Sequence, residues 1–227
     1  MIVVLHRRVT PVIAALIAIA LVTTLVAGID RHLGGALYFR LALIPDRVWH
    51  GELWRLVTWP FVYTNPWLLT LGMFELWVFG GALAESWRPA RLARFAIGVI
   101  AVAGVGTCVL AWAFPAAWHW PQFAGLALGD AIAIAFGLQY PLARVQVYGV
   151  IDISGDVLAY GTLGFTVMLA LFYGFSWALP ELLAGGAAFV YMTRPDRPWW
   201  QKLRKYRKHR RFGVIDGDHH GGPYYPN

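Results

Sequence analysis

Six apolar runs divide the first 193 residues of the chain, and the charged and turn-forming residues collect between them. The longer runs approach the ~20 residues that a helix needs to cross a bilayer. The pattern therefore predicts six membrane-spanning helices, and an even number of spans places both ends of the chain on one side. The predicted spans cover residues 9–27, 61–84, 95–114, 124–138, 157–175 and 182–192.

The stretch between the first two spans, residues 28–59, has a different pattern. It mixes four arginines and three acids with scattered aromatic residues, which makes it too polar to span a membrane and too apolar for a plain linker. We expect it to lie in the membrane interface. Its arginines are the only Lys or Arg residues on the side opposite the chain ends, so the positive-inside rule predicts that both termini are cytoplasmic.

The fourth apolar run carries a stripe of small residues. They recur every fourth position, at Gly125, Gly129, Ala133 and Gly137. In lipid, such a stripe lets neighbouring helices approach closely, which predicts the central helix of a packed bundle. Asp130 lies in the same run, and a carboxylate inside a membrane is a candidate functional group. The alternative is a buried acid that only accepts hydrogen bonds, for example from Tyr63 or a backbone amide.

The composition supports an integral membrane protein. Of the 227 residues, 59% are hydrophobic and 14% are charged, and the mean hydropathy is +0.55, values that exclude an average soluble domain. We expect the protein in the inner membrane of a bacterium. The lone Cys108 excludes an intramolecular disulfide.

The chain divides into a membrane domain, residues 1–193, and a cytoplasmic tail, residues 194–227. Much of the net charge of +7 comes from this tail, so no nucleic-acid partner is predicted, and no pattern predicts a cofactor or a metal site. We expect the basic segment to rest on anionic lipid and the end of the tail to be disordered. The predicted lipid-facing residues are Lys202, Arg204, Lys205, Arg207, Lys208, Arg210 and Arg211.

A spaced motif within residues 51–80 begins with Trp54-Arg55 and Thr58 and continues through Phe61, Met73 and Phe79-Gly80. In residue types and spacing, this segment resembles the rhomboid family of intramembrane proteins. The glycine-rich fourth run and the pair Gly185-Gly186 in the sixth extend the resemblance. It implies an all-α, six-helix rhomboid-like bundle, with an interfacial loop carrying Trp54 and Arg55 between helices 1 and 2 and with Gly185 and Gly186 in helix packing.

Active rhomboids are serine proteases with a Ser-His dyad and an oxyanion site of His and Asn, and the resemblance shows where those residues belong in this chain. The serine falls on Gly129 or Asp130, and the base falls on Leu183. The helix-two positions fall on Tyr63, Leu68 and Gly72. None of these side chains can perform the corresponding step, because acyl transfer needs a nucleophile with a base in reach and donors for the oxyanion.

The resemblance therefore implies a pseudoprotease that binds or chaperones transmembrane partners without cleaving them. Two alternatives stay open. One is an active rhomboid-type serine endopeptidase with a non-standard site, for which the serines are Ser86, Ser154 and Ser176. The other is a small ion or solute transporter that uses Glu75 and Asp130. Asp130 and Glu181 also form a candidate acid pair. The predicted partners are transmembrane proteins and the bilayer.

Overall fold

The computed structural model describes residues 10–123, 126–147 and 151–193. The following account concerns the unit Met1–Met192. Its helices are α1 (Pro11–His32), α2 (Leu37–Leu41), α3 (Pro45–Trp49), α4 (Arg55–Thr58), α5 (Pro66–Glu75), α6 (Gly81–Ser86), α7 (Pro89–Leu110), α8 (Pro115–Trp118), α9 (Ala127–Gln139), α10 (Gly155–Tyr173) and α11 (Phe175–Thr193). Its strands are β1 (Arg144–Val147) and β2 (Ile151–Ser154).

Four helices in the described part of the chain are long and apolar enough to cross a membrane. They are α1, the continuous helix Pro66–Ser86, α7 and α10. The predicted all-α membrane class is therefore confirmed. The count of six spans stays a prediction, since α9 has only 13 residues and α11 carries Pro180 within it.

Proline sets the start of the spanning helices α1, α5 and α7. Pro11, Pro66 and Pro89 each occupy the first helical position, where proline has the helical φ and where its missing N–H costs no hydrogen bond. Asn65 caps α5 by accepting from the amide of Leu68 at 2.8 Å. The predicted starts at residues 61 and 95 are therefore wrong: the first lies five residues before the helix begins and the second six residues after.

Helices α5 and α6 are joined by one wide π-helical turn, Leu76–Gly80, into the continuous helix Pro66–Ser86. This long helix packs against α1 and α9. Glu75 lies directly before the wide turn. A π-helical turn inside a helix is frequently found at functional sites, so the position of Glu75 distinguishes it from an ordinary surface acid.

Helix α9 lies at the centre of the unit. Every residue from Ala127 to Leu138 is buried, and the helix contacts α5, α7 and α10. At Gly137, an added Cβ would overlap the carbonyl oxygen of Gly155 and crowd Ala159. The absence of a side chain at Gly137 therefore lets α9 and α10 cross with their backbones nearly touching.

Helix α11 begins at Phe175, seven residues before the start predicted at residue 182, and continues through Pro180. Proline has no N–H, so the carbonyl of Ser176, four residues earlier, loses its helical donor. The side chain of Gln122 replaces that donor, with Nε2 at 2.8 Å from the Ser176 oxygen. The backbone of Gln122 also pairs with Leu43 through two hydrogen bonds, at 2.8 and 2.9 Å.

The predicted turn that follows the fourth span contains a β-hairpin. Strands β1 and β2 are antiparallel, with Arg144 opposite Ser154 and Val145 opposite Ile153. Residues of this kind, β-branched and alternating with polar ones, favour strands. The hairpin is a small departure from the predicted all-α architecture.

Candidate functional site

Arg55 organises the loop between α1 and α5. Its side chain is buried, and Nε and Nη2 both donate to the Glu52 carboxylate, at 2.7 and 2.6 Å. Nη1 donates to the carbonyl oxygens of Phe39 at 2.6 Å and Ala42 at 2.7 Å. The planar guanidinium therefore joins an acid on its own segment to the backbone around α2. A lysine ammonium does not reach all of these acceptors at the same time.

The neighbours of Arg55 in the sequence motif bind the same backbone. The indole Nε1 of Trp54 donates to the carbonyl oxygen of Arg40 at 3.3 Å. The hydroxyl of Thr58 donates to the carbonyl oxygen of Leu41 at 2.9 Å. Together with Arg55, these side chains bind all four successive carbonyls from residue 39 to residue 42. The motif spacing thus fixes the α2 segment against α4.

A second group of residues lies inside the bundle. Glu75 on α5, Asp130 on α9 and Glu181 on α11 lie close enough to interact electrostatically. Asp130 and Glu181 are 5% and 6% exposed. We call these three residues the acid cluster. The structure thus brings together three acids that the sequence presents on three separate helices.

The acid cluster has few donors. The hydroxyl of Thr166 on α10 donates to Asp130 Oδ2 at 3.3 Å, and the amide of Leu126 donates to Glu181 Oε1 at 3.2 Å. The buried Oε2 atoms of Glu75 and Glu181 have no hydrogen-bond partner among the described residues. These two oxygens are therefore left for a group outside the described residues to contact.

Gly72 and Gly129 fall where active rhomboids carry catalytic residues, and a larger side chain covers each of them. A Cβ added at Gly129 would overlap the Glu75 carboxylate, and one added at Gly72 would overlap the ring and hydroxyl of Tyr63. Burial raises the pKa of Tyr63 well above its usual value, and the nearby carboxylates of Glu75 and Asp130 add to this rise. Tyr63 therefore carries its hydroxyl proton.

The two leucines at the remaining catalytic positions lie in apolar surroundings. Leu183 packs against Gly106 of α7. Leu68 packs against Ala20, Tyr63 and Leu69. Neither leucine is placed among polar groups that could take part in hydrolysis.

The described serines and histidines do not form a dyad through any hydrogen bond in the described region. The hydroxyl of Ser86 donates to the carbonyl of Leu83 at 3.1 Å, and that of Ser154 donates to Asp156 at 2.5 Å. His50 and His119 lie near the carboxylate of Asp46 and not near a serine, with Nδ1 to oxygen distances of 3.4 and 3.6 Å. Two of the three described serines and two of the three described histidines therefore have other partners.

The predicted packing residues differ in what surrounds them. Ala133 is buried in α9, and an added Cβ at Gly185 would lie 3.3 Å from Ile134 and 3.4 Å from Leu163. At Gly186, by contrast, an added Cβ would meet no described atom within 4 Å, so no close contact is found there. Gly125 and the basic residues from Lys202 to Arg211 lie outside the described residues.

Three residues of these sites were not singled out by the sequence patterns, namely Glu52, Gln122 and Thr166. Glu52 could have been recognised from its position three residues before Arg55 on a helical turn, and Gln122 from the carbonyl that Pro180 leaves free. Thr166 gives no comparable signal.

Within the described ranges, no group of three or more His, Cys, Asp or Glu residues is arranged to hold a metal ion.

Comparison with known proteins identifies one family. The family described as "Eukaryotic integral membrane protein (DUF1751)" matches residues 13–193, whereas no curated protein matches the chain. The description confirms an integral membrane protein, but a eukaryotic family gives no support to the bacterial inner membrane predicted from the sequence. Because the match covers well over half of the chain, the chain belongs to this family of eukaryotic integral membrane proteins.

Proposed function

We propose that this protein is a rhomboid-like pseudoprotease that binds or chaperones transmembrane partners without cleaving them. The rhomboid relationship rests on the motif from Trp54 to Gly80, since the matched family is described only as integral membrane proteins. The motif residues Trp54, Arg55 and Thr58 all make defined hydrogen bonds. The proposed loss of hydrolysis thus leaves the scaffold of the loop in place.

One observation carries the proposal. The position of the nucleophile, Gly129, carries no hydroxyl and lies against the carboxylate of Glu75, with no histidine beside it among the described residues. The position of the base, Leu183, packs on Gly106. This arrangement supports binding, because neither position carries the hydroxyl nucleophile or the base that acyl transfer needs.

The acid cluster favours one kind of partner. Glu75 and Glu181 each carry an unpaired buried oxygen in the described region, and intramembrane carboxylates usually pair with other groups. A transmembrane helix with a hydrogen-bond donor or a cation at mid-depth, such as Asn or Lys, would supply the missing donor. Preference for such helices is therefore the expected specificity of the site.

Photo-crosslinking to defined helices tests this function. Crosslinkers are placed at Leu68 and Leu71, which share the Glu75 face of α5 at helical spacing and are half-buried. The purified full chain is reconstituted with a synthetic Leu/Ala transmembrane peptide or with the same peptide carrying one central Lys. We expect stronger crosslinking to the Lys peptide, a loss of this preference in Glu75→Gln, and an intact peptide throughout.

A control crosslinker on the exposed face of α7 measures capture by random collision. Ile97 on α7 is apolar and 66% exposed, so a crosslinker there should capture both peptides weakly and equally. Capture of lipid alone at Leu68 and Leu71, or equal capture of the two peptides at all three positions, would refute the proposed function. Cleavage of the peptide by the wild-type chain would instead favour the active endopeptidase.

The acid cluster also supports a second candidate function, the transport of protons or small cations. Carboxylates that meet within a membrane often mark an ion path, and the structure brings Glu75 and Asp130 close together. Proton or cation flux into liposomes that contain the protein, lost in Asp130→Asn, would favour transport. Flux equal to that of empty liposomes would leave partner binding as the better account.

A further inference from the structure

A cleft of about 500 Å³ lies in the loop between α1 and α5. Its lining includes Phe39, Arg40, Arg47, Trp54 and Arg55. This loop begins where one spanning helix ends, at His32, and finishes where the next begins, at Pro66. The cleft therefore lies at a face of the membrane and not at its centre.

The charges of the cleft are unbalanced. Glu52 is the acid in its lining, and its carboxylate is bound closely by Arg55, at 2.6 Å. Arg47 reaches Glu52 only at 3.9 Å and has a side chain that is 60% exposed. Arg40 is exposed, and its side chain has no ion pair or hydrogen bond among the described residues. Two guanidiniums thus retain donors that an anion can occupy.

Exposed apolar side chains surround the same loop. Leu53 is 61% exposed, Val57 is 64% exposed and Trp54 is 52% exposed. Large apolar residues next to arginines are typical of surfaces that lie at the level of lipid headgroups, with the apolar part toward the acyl chains. A soluble anion would use the guanidiniums but would leave these apolar residues without a contact.

We propose that this cleft binds the phosphate headgroup of an anionic membrane phospholipid. Arg40 and Arg47 donate to the phosphate, since guanidinium groups match its oxygen geometry, and Trp54 with Leu53 contacts the upper acyl chains. Arg55 does not bind the lipid directly, because four of its five N–H donors are already used and its side chain is buried; it holds the backbone of the cleft in place. This site is independent of whether the bundle binds a transmembrane partner.

Native mass spectrometry of the delipidated full chain in neutral detergent tests the proposal. Phosphatidylglycerol is added in one arm, phosphatidylcholine in a second, and phosphatidylglycerol with excess inorganic phosphate in a third. We expect retention of phosphatidylglycerol over phosphatidylcholine, little competition by phosphate, and roughly a fivefold loss of retention for each of Arg40→Gln and Arg47→Gln.

The double variant Arg88→Gln/Arg94→Gln is the matched control, because it removes two exposed arginines near the start of α7. It should retain phosphatidylglycerol as the wild type does. Equal losses in the cleft and control variants would overturn the proposal in favour of a general charge effect. Displacement of the lipid by inorganic phosphate would overturn it in favour of a soluble anion. The single variants are at exposed positions, and unchanged circular dichroism confirms that they fold.

Discussion

The carboxylate of Glu75 occupies the space that a side chain at Gly129 would need. The contact joins the long helix Pro66–Ser86 to the central helix α9. Gly129→Ala should therefore lower the free energy of unfolding by about 1–3 kcal/mol, the usual cost of overpacking. Because the overlap is with the flexible end of Glu75, Glu75→Ala should relieve most of the loss, which a double-mutant cycle in detergent would measure.

Gly161→Ala on α10 provides the control for this cycle. An added Cβ there meets no described atom within 4 Å, so the substitution should cause no loss of stability and should not interact with Glu75→Ala. Equal effects of Glu75→Ala on the two glycine variants would contradict the proposed contact.

Gln122 and Pro180 are coupled through the carbonyl of Ser176, which Pro180 leaves without a helical donor and Gln122 satisfies. Gln122→Leu should destabilise the protein by about 1 kcal/mol, since it leaves a partly buried acceptor without its donor. Pro180→Ala restores an N–H four residues after Ser176, so the same loss should be smaller in that background. Thermal unfolding of the four proteins in one detergent measures the difference.

Gln122→Glu separates the hydrogen bond from side-chain volume. The variant keeps the size of the side chain, but an ionised carboxylate has no donor. We expect it to be at least as destabilising as Gln122→Leu at neutral pH. A fully stable Gln122→Glu protein would show that the Ser176 carbonyl does not depend on this donor.

Local chemistry explains which parts of the fold the sequence predicts. Hydrophobic runs locate the helices well. The starts predicted wrongly are those of the helices that begin at Pro66, Pro89 and Phe175. At Pro66 the predicted start is too early, because the apolar residues 61–63 extend the hydrophobic run past the cap. At Pro89 it is too late, because Arg91 and Arg94 interrupt the run inside the helix. The third reflects Pro180, which predicts a helix break until a distant side chain, Gln122, is seen to replace the lost donor.

The candidate site is less accessible to sequence reasoning for a different reason. Asp130 is visible because it interrupts an apolar run, but its proximity to Glu75 and Glu181 depends on how three helices pack. Spacing along one helix carries no information about its neighbours. The contact at Gly129 shows this limit, since a glycine that predicts helix packing instead makes room for a carboxylate.

Arg55→Lys should be strongly destabilising although it keeps the charge. Arg55 is 4% exposed and donates to Glu52 and to two carbonyls, a geometry that a single ammonium does not reproduce. We expect a loss of about 1–3 kcal/mol, because the ammonium leaves at least one of these carbonyl acceptors without its donor. Arg94→Lys, at an exposed position, should change stability by no more than about 0.5 kcal/mol. Urea titration in micelles would measure both, and similar values would contradict the role assigned to Arg55.

The proposed loss of the catalytic dyad predicts that the protein does not react with serine-directed probes. The purified chain should show no labelling by a fluorophosphonate and no cleavage of transmembrane peptides, while a soluble serine hydrolase in the same micelles reacts. Gly129→Ser/Leu183→His should also stay inactive, because Leu183 lies against Gly106 and the new serine would meet Glu75. Labelling of the wild type that disappears in Ser154→Ala or Ser176→Ala would contradict this prediction, since it would place a reactive hydroxyl outside the expected position on α9.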